Sequence, residues 1–277
     1  MIVDSYEDKT EVINWKSFIG NELWFQATLS SNNLEILDTG DQKKAEYLQK
    51  ILRAAHLLNS KVIVENKCFR IKTNLGFSPE WGFGSSSTLL SNIAYWFGIN
   101  PFDLHFMISE GSAYDVACAR ATGPIIYQLE GKNPIIESVL FYPVFHHNLY
   151  FVYLGKKQES AQSLKTYQGM LDGRGLEIQK ISEITKRMIS AQGIQQFENA
   201  MDEHEEIMCS ILKLPKAREH YFAGYQGSVK SLGAWGGDFV MVTWKNDRQS
   251  FENEMIARNF NTFFSFAEVA LEHNKTI

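Results

Sequence analysis

The stretch Ser78-Pro79-Glu80-Trp81-Gly82-Phe83-Gly84-Ser85-Ser86-Ser87-Thr88 gathers glycines and hydroxyls directly ahead of residues 89–97, an apolar run with helical spacing. Placed there, it aims several backbone N–H groups and the positive end of a helix dipole at one spot, where an anion can sit. Gly82 and Gly84 permit positive φ and close backbone approach, while Ser85, Ser86 and Ser87 offer oxygens to a phosphate or a hard cation. Read locally, the stretch is more simply a helix start with serine caps. A second candidate is Asp115, in the first turn of a small-residue helix that follows Glu110-Gly111-Ser112-Ala113-Tyr114. An acid there helps a helix begin; beside a phosphate loop it could also orient or deprotonate a hydroxyl nucleophile. The third is Lys230-Ser231-Leu232-Gly233-Ala234-Trp235-Gly236-Gly237-Asp238, a glycine-rich connection between strands with a cation at its edge.

Other arrangements carry less. No G-x-x-x-x-G-K-[ST] is present, so a P-loop fold is not supported, and Ser85 to Ser87 do not sit in G-x-S-x-G. Asp202-Glu203-His204-Glu205-Glu206 reads as a solvated acidic helix face rather than a metal cluster, because neighbouring helical residues point in different directions. His146-His147 reads as a turn.

The elements that must hold these residues follow from hydrophobic periodicity. Residues 1–7 open in an extended pattern, and strands are expected over 12–18, 22–29 and 34–37. A helix is expected over 41–58, with Ala45, Leu48, Leu52, Ala55 and Leu58 on one stripe. Residues 61–65 and 69–73 read as paired strands, and a short helix is expected near 103–108. Residues 124–129 and 135–141 read as a hairpin, and 149–154 as a central strand. The polar segment 156–165 leads into helices over 181–188 and 192–214; strands over 221–229 and 239–244 and a last helix from Phe251 complete the chain. The change of texture places a boundary between lobes spanning 1–146 and 147–277.

The chain has 277 residues, 44% hydrophobic and 13% aromatic, enough for one large domain or two intimate lobes. A net charge of −5, from 27 basic and 32 acidic residues without a long basic run, argues against nucleic acid as a partner. Cys68, Cys118 and Cys209 are too far apart in sequence to suggest a zinc site or a disulfide frame, and suit a reducing cytoplasm. No run approaches a membrane span, so a cytoplasmic protein without a membrane partner is expected. A homodimer is allowed.

Together and in order, the three segments resemble the motifs of the GHMP kinase superfamily, which includes galactokinase, homoserine kinase, mevalonate kinase and phosphomevalonate kinase. Pro79-Glu80-Trp81-Gly82-Phe83-Gly84-Ser85-Ser86-Ser87 is similar to P-x-x-x-G-L-G-S-S, one residue shorter and with Phe83 for Leu. Ser112-Ala113-Tyr114-Asp115-Val116-Ala117 is similar to the S-G-x-D-x-A segment of the mevalonate kinase branch, with Ala113 for Gly. Ser231-Leu232-Gly233-Ala234-Trp235-Gly236-Gly237 resembles S-G-A-G-G-G, with Trp235 where Gly is usual. The resemblance implies a two-lobed α+β fold, with a ribosomal-S5-like N-terminal lobe and a ferredoxin-like C-terminal lobe. It implies ATP and Mg²⁺ as cofactors and a small-molecule alcohol as phosphate acceptor. Asp115 would be the catalytic residue. Gly82, Phe83, Gly84, Ser85, Ser86, Ser87, Gly233, Ala234, Gly236 and Gly237 would bind the nucleotide, and Ser86 with Glu110 would meet the metal.

The family's opening G-K-x-x-x-x-G-E-H-like motif has no counterpart here. Met1-Ile2-Val3 reads as the continuation of a strand already under way, so either the start is late, which is the favoured expectation, or the protein naturally lacks that element. That gap, with Trp235, leaves two functional expectations: a mevalonate kinase-like phosphotransferase, or a nucleotide-binding or regulatory homologue without turnover.

Overall fold

Alternating burial builds the first part of the chain. In the computed structural model, β1 (Ile2–Glu7), β2 (Val12–Ile19) and β3 (Glu22–Ser30) are followed by β4 (Ile36–Thr39), α1 (Gln42–Leu58) and β5 (Lys67–Leu75). The structure describes the whole chain except residues 65, 157–168, 171–172, 234, 236 and 271–277. The five strands form one sheet in the order β1-β5-β2-β3-β4, with β5 parallel to β2 and antiparallel to β1. The pairing expected between 61–65 and 69–73 does not occur. Residues 61–63 are turn and bend, residue 64 is irregular, residue 65 lies outside the described residues, and both edges of β5 are taken by β1 and β2.

Asp41 caps α1, its carboxylate accepting from the Lys44 N–H at 3.1 Å. Ala45, Leu48, Leu52 and Ala55 are buried as their spacing predicts, joined by Ile51; Leu58 is exposed, because the helix ends there. α2 (Ser85–Phe97), α3 (Pro101–Ile108) and α4 (Tyr114–Arg120) follow, with Pro101 at the first helical position behind the Asn100 cap. α2 and α3 pack on α1, and α4 packs on α2. The core between this layer and the sheet includes Ile13, Trp15, Leu29, Leu48, Leu52, Ile71, Ile93 and Phe97. Each such large apolar side chain contributes roughly 1.5–3 kcal/mol by leaving water. The Trp15 indole is satisfied inside it by Ser17 Oγ at 3.0 Å.

β6 (Ile125–Glu130) and β7 (Asn133–Ser138) make the expected hairpin, and His146-His147 lies in a 3₁₀ turn. Then come β8 (Leu149–Tyr153), α5 (Gly175–Ser190), α6 (Ile194–Leu212), α7 (Ala217–Tyr221), β9 (Val229–Ser231), β10 (Phe239–Thr243), α8 (Arg248–Ala257), β11 (Phe263–Ser265) and α9 (Phe266–Val269). The four strands form an antiparallel sheet in the order β11-β8-β10-β9, so β8 is interior as expected. The long strand expected over 221–229 is replaced by the end of α7, turns, and a three-residue β9. Aromatics at Tyr221, Phe222 and Tyr225 suggest a strand; in the fold they serve a core with Tyr150, Val240, Val242 and Phe251.

The described chain divides into two compact units. One contains Met1–Pro79, Phe83–Ala121 and Tyr127–Glu137; the other contains Glu80–Gly82, Thr122–Ile126 and the chain from Ser138 on. Each pairs a sheet with helices, an α+β architecture. Among the described residues no helix is long and apolar enough to cross a membrane.

Candidate active site

α2 begins without a side-chain cap. Gly84 is its N-cap in the left-handed region (φ 79°), and Ser85, Ser86 and Ser87 form its first turn, so the serine-capped start expected from sequence is not what forms. The Thr88 hydroxyl donates instead to Gly84 O at 2.9 Å. First-turn N–H groups have no partner within a helix, and the serine hydroxyls here are not spent on covering them as caps. Burial pushes the hydroxyl of Tyr47 in α1 above its ordinary value, and nearby Ser86 opposes that rise. Phe83 packs on Phe77 with ring centroids 5.7 Å apart. Gly82, also left-handed at φ 67°, belongs to the second unit with Glu80 and Trp81.

Asp115 lies in the first turn of α4, the helix packed on α2. The N-cap of α4 is Ala113, at φ 60° and buried in the first unit's core. The resemblance sets a glycine at this position, and the geometry shows why: a left-handed residue with a Cβ costs about 1–2 kcal/mol. The preceding loop is held by Tyr127, whose hydroxyl donates to Ser112 O, and by His105, whose Nε2 lies 3.1 Å from Gly111 O. A carbonyl only accepts, so Nε2 carries the hydrogen. Asp115 has an exposed side chain by surface area, yet the protein around it raises its carboxyl above the ordinary value by desolvation. A hydrogen bond from Tyr114 and nearby His105 oppose that rise. Burial lowers His105, and burial together with Asp115 raises the thiol of Cys118. A carboxylate held above its usual pKa is a stronger base.

Thus Ser85, Ser86, Ser87 and Asp115 stand on two packed helices of one unit, with Phe83 and Gly84 of that unit leading into the first. Glu110 is in the same unit but lines a cavity of about 510 Å³ with Phe106, Ile108, Leu129 and Lys132. Among the described residues no group of three His, Cys, Asp or Glu could hold a metal.

In the second unit Gly233 has φ 62° and Gly237 is buried; Ala234 and Gly236 lie outside the described residues. Trp235, left-handed at φ 59° and only 8% exposed, stacks on His204 at 6.0 Å and lies beneath the Lys230 ammonium at 5.7 Å. Burial lowers Lys230 to about 8, with Glu205 opposing; burial and Lys230 lower His204 to about 3. Glu205 departs from the solvated face expected of residues 202–206. It is 2% exposed and accepts from Ser231 N and Oγ, both at 3.0 Å, and from Ala217 N at 3.2 Å. It therefore ties α6 to β9, the strand that leads into the glycine-rich loop. Tyr47, His105, Glu205 and Asp238 were not singled out as site residues from sequence. Only Glu205 carried a local signal, an acid on the same helix face as Met201, Cys209 and Leu212.

No protein-family model and no curated protein matches this chain. Solved structures do. Mevalonate kinase from Methanococcus jannaschii superposes with a TM-score of 0.63 at 13% identity, covering 95% of this chain and 86% of that one. L. major mevalonate kinase in complex with R-mevalonate gives 0.62 at 11%, covering 95% and 83%. A mevalonate diphosphate decarboxylase from Legionella pneumophila gives 0.52 at 10%, covering 95% and 87%. The chain therefore has the GHMP kinase fold, as its motifs suggested. At these identities the likeness is one of fold, and that fold serves kinases and a decarboxylase alike.

Proposed function

We propose that this chain is an ATP-dependent, Mg²⁺-requiring kinase that transfers the γ-phosphate to the hydroxyl of a small molecule, in the manner of mevalonate kinases. The observation that carries the reading is Asp115 in the first turn of a helix packed on α2, whose glycine-capped N-terminus holds Ser85 to Ser87. In the reaction the substrate oxygen forms a bond to the γ-phosphorus, the bond from that phosphorus to the bridging oxygen breaks, and ADP leaves. The hydroxyl proton passes to the Asp115 carboxylate, and desolvation makes that carboxylate a better acceptor. The α2 N-terminus and its backbone N–H groups would face phosphate oxygens, where fixed dipoles stabilise charge without reorganising. Mg²⁺, when bound, neutralises phosphate charge. The residues fit the usual magnesium pattern of few protein oxygens with phosphates and waters, Ser86 supplying its hydroxyl. Glu110 is the second candidate ligand.

Titration with ATP and Mg²⁺ tests binding, and coupled ADP release over mevalonate, phosphomevalonate, galactose and homoserine tests turnover. Asp115→Ala should lower turnover by about 10²-fold or more while ATP affinity changes by less than about threefold. Unchanged turnover in that variant would remove Asp115 from the chemistry. The second reading, a nucleotide-binding homologue without turnover, is favoured by Trp235, buried where the resemblance has glycine. ATP binding without ADP release, on this chain and on one extended upstream, selects it.

A further inference from the structure

Gly82 is approached more closely than any side chain allows. A Cβ built on it would lie 2.6 Å from Cγ of Asp238, and 2.7 and 2.8 Å from its two carboxylate oxygens. The Asp238 side chain fills the space beside the loop backbone. Its own position is fixed from behind: its N–H donates to Lys156 O at 2.7 Å, and its carbonyl accepts from Leu154 N at 2.8 Å. Asp238 follows directly on the glycine-rich segment and adopts φ 51°, a conformation that Asp and Asn reach more readily than other side-chain-bearing residues. Two further contacts hold the same short segment. Tyr153 OH donates to Glu80 O at 2.9 Å, and Trp81 packs edge-on against Phe264 with centroids 5.1 Å apart. Phe239, next after Asp238, lies against both Tyr153 and Phe264 at 5.3 and 6.0 Å.

We infer that Asp238 is a positioning residue for phosphate binding: its side chain, wedged against Gly82, holds Glu80–Gly82 in the backbone form from which the chain enters Gly84 and α2. The inference rests on the nucleotide reading above. A carboxylate near phosphate opposes binding by its charge and supports it by its shape, and those two effects separate experimentally. Asp238→Asn keeps shape and backbone preference and loses charge. Asp238→Gly keeps the left-handed backbone and loses the side chain.

The test is ATP–Mg²⁺ affinity of the full chain by calorimetry. Asp238→Asn should bind at least as tightly as wild type, and Asp238→Gly should bind about tenfold or more weakly, since small displacements of a binding group are costly. Gly82→Ala should also weaken binding about tenfold or more, and adding Asp238→Gly to it should weaken binding no further, because both disturb one contact. Urea midpoints without ATP give an independent reading. Gly82→Ala should lower the midpoint, and Asp238→Gly should recover part of the loss by making room for the methyl. Wild-type affinity in Asp238→Gly, or equal affinities in the Asn and Gly variants, would overturn the role and leave the kinase reading intact. A wild type that binds no ATP removes the nucleotide reading and this role with it, and the urea cycle then reports only the packing.

Discussion

Replacing Glu205 gives the sharpest measure of what supports the glycine-rich loop. Its carboxylate is buried and accepts three hydrogen bonds: Ser231 Oγ and Ala217 N on one oxygen, Ser231 N on the other. Glu205→Ala strands two backbone donors, since the Ser231 hydroxyl can rotate away. An unsatisfied buried donor costs roughly 1–3 kcal/mol. Relief from burying a charge offsets part of the loss, and Glu205 also lines a cavity of about 590 Å³ with Asp202, Glu206, Lys216 and Arg218, from which water can reach the orphaned groups. The expected net loss is about 2–4 kcal/mol. Glu205→Gln retains one oxygen and can keep the two bonds at Oε1, but its amide nitrogen then faces the Ser231 N–H, donor against donor. About 1–2 kcal/mol is expected for that single lost bond. Urea denaturation, with hydrogen exchange at the Ser231 and Ala217 amides, measures both; exchange isolates the second unit if the two units unfold separately. A loss below about 0.5 kcal/mol for Glu205→Ala, or a Gln variant less stable than the Ala variant, would refute the reasoning.

Gly227→Ala should destabilise the chain by about 3 kcal/mol in the same urea assay, because a methyl there would meet Thr243 O at 2.0 Å and Thr243 Oγ1 at 2.9 Å. Those atoms already receive Tyr225 OH at 2.8 Å and Ser228 N at 2.9 Å, so retained stability would mean that β10 can shift there. Asp115→Asn should separate stability from activity. With its pKa raised by burial, folded Asp115 binds more protons than the unfolded chain between 3.8 and its raised value, so its contribution to stability falls as pH rises through that window. The Asn variant escapes this and should be at least as stable as wild type at pH 7, with the difference closing below 3.8, while losing turnover. An Asn variant less stable at pH 7 than at pH 3, relative to wild type, would show that favourable partners outweigh desolvation.

Much of the fold was legible because its signals are local. The hairpin of β2 and β3, the stripe Ala45-Leu48-Leu52-Ala55, the short helix near 103–108 and the glycines at positive φ each follow from a few neighbouring residues. The errors share a cause. Residues 61–65 and 221–229 have strand-like composition, but a strand needs a partner edge, and β1 with β2 had already taken those of β5. The aromatics near Tyr225 were apolar for the sake of a core assembled from α8 and the second sheet.

The same division runs through the site. The amino-acid order alone determined that a glycine-serine turn precedes α2, that an acid sits in the first turn of α4, and that a glycine-rich connection leads to β10, since each is set by the residues within one turn of it. Tertiary structure decided that α4 lies on α2, that Glu205 leaves the acidic face to hold β9, and that Asp238 presses on Gly82. These contacts join residues far apart in sequence. Their partners are chosen by packing and by the need to satisfy buried polar groups, which no local spacing encodes.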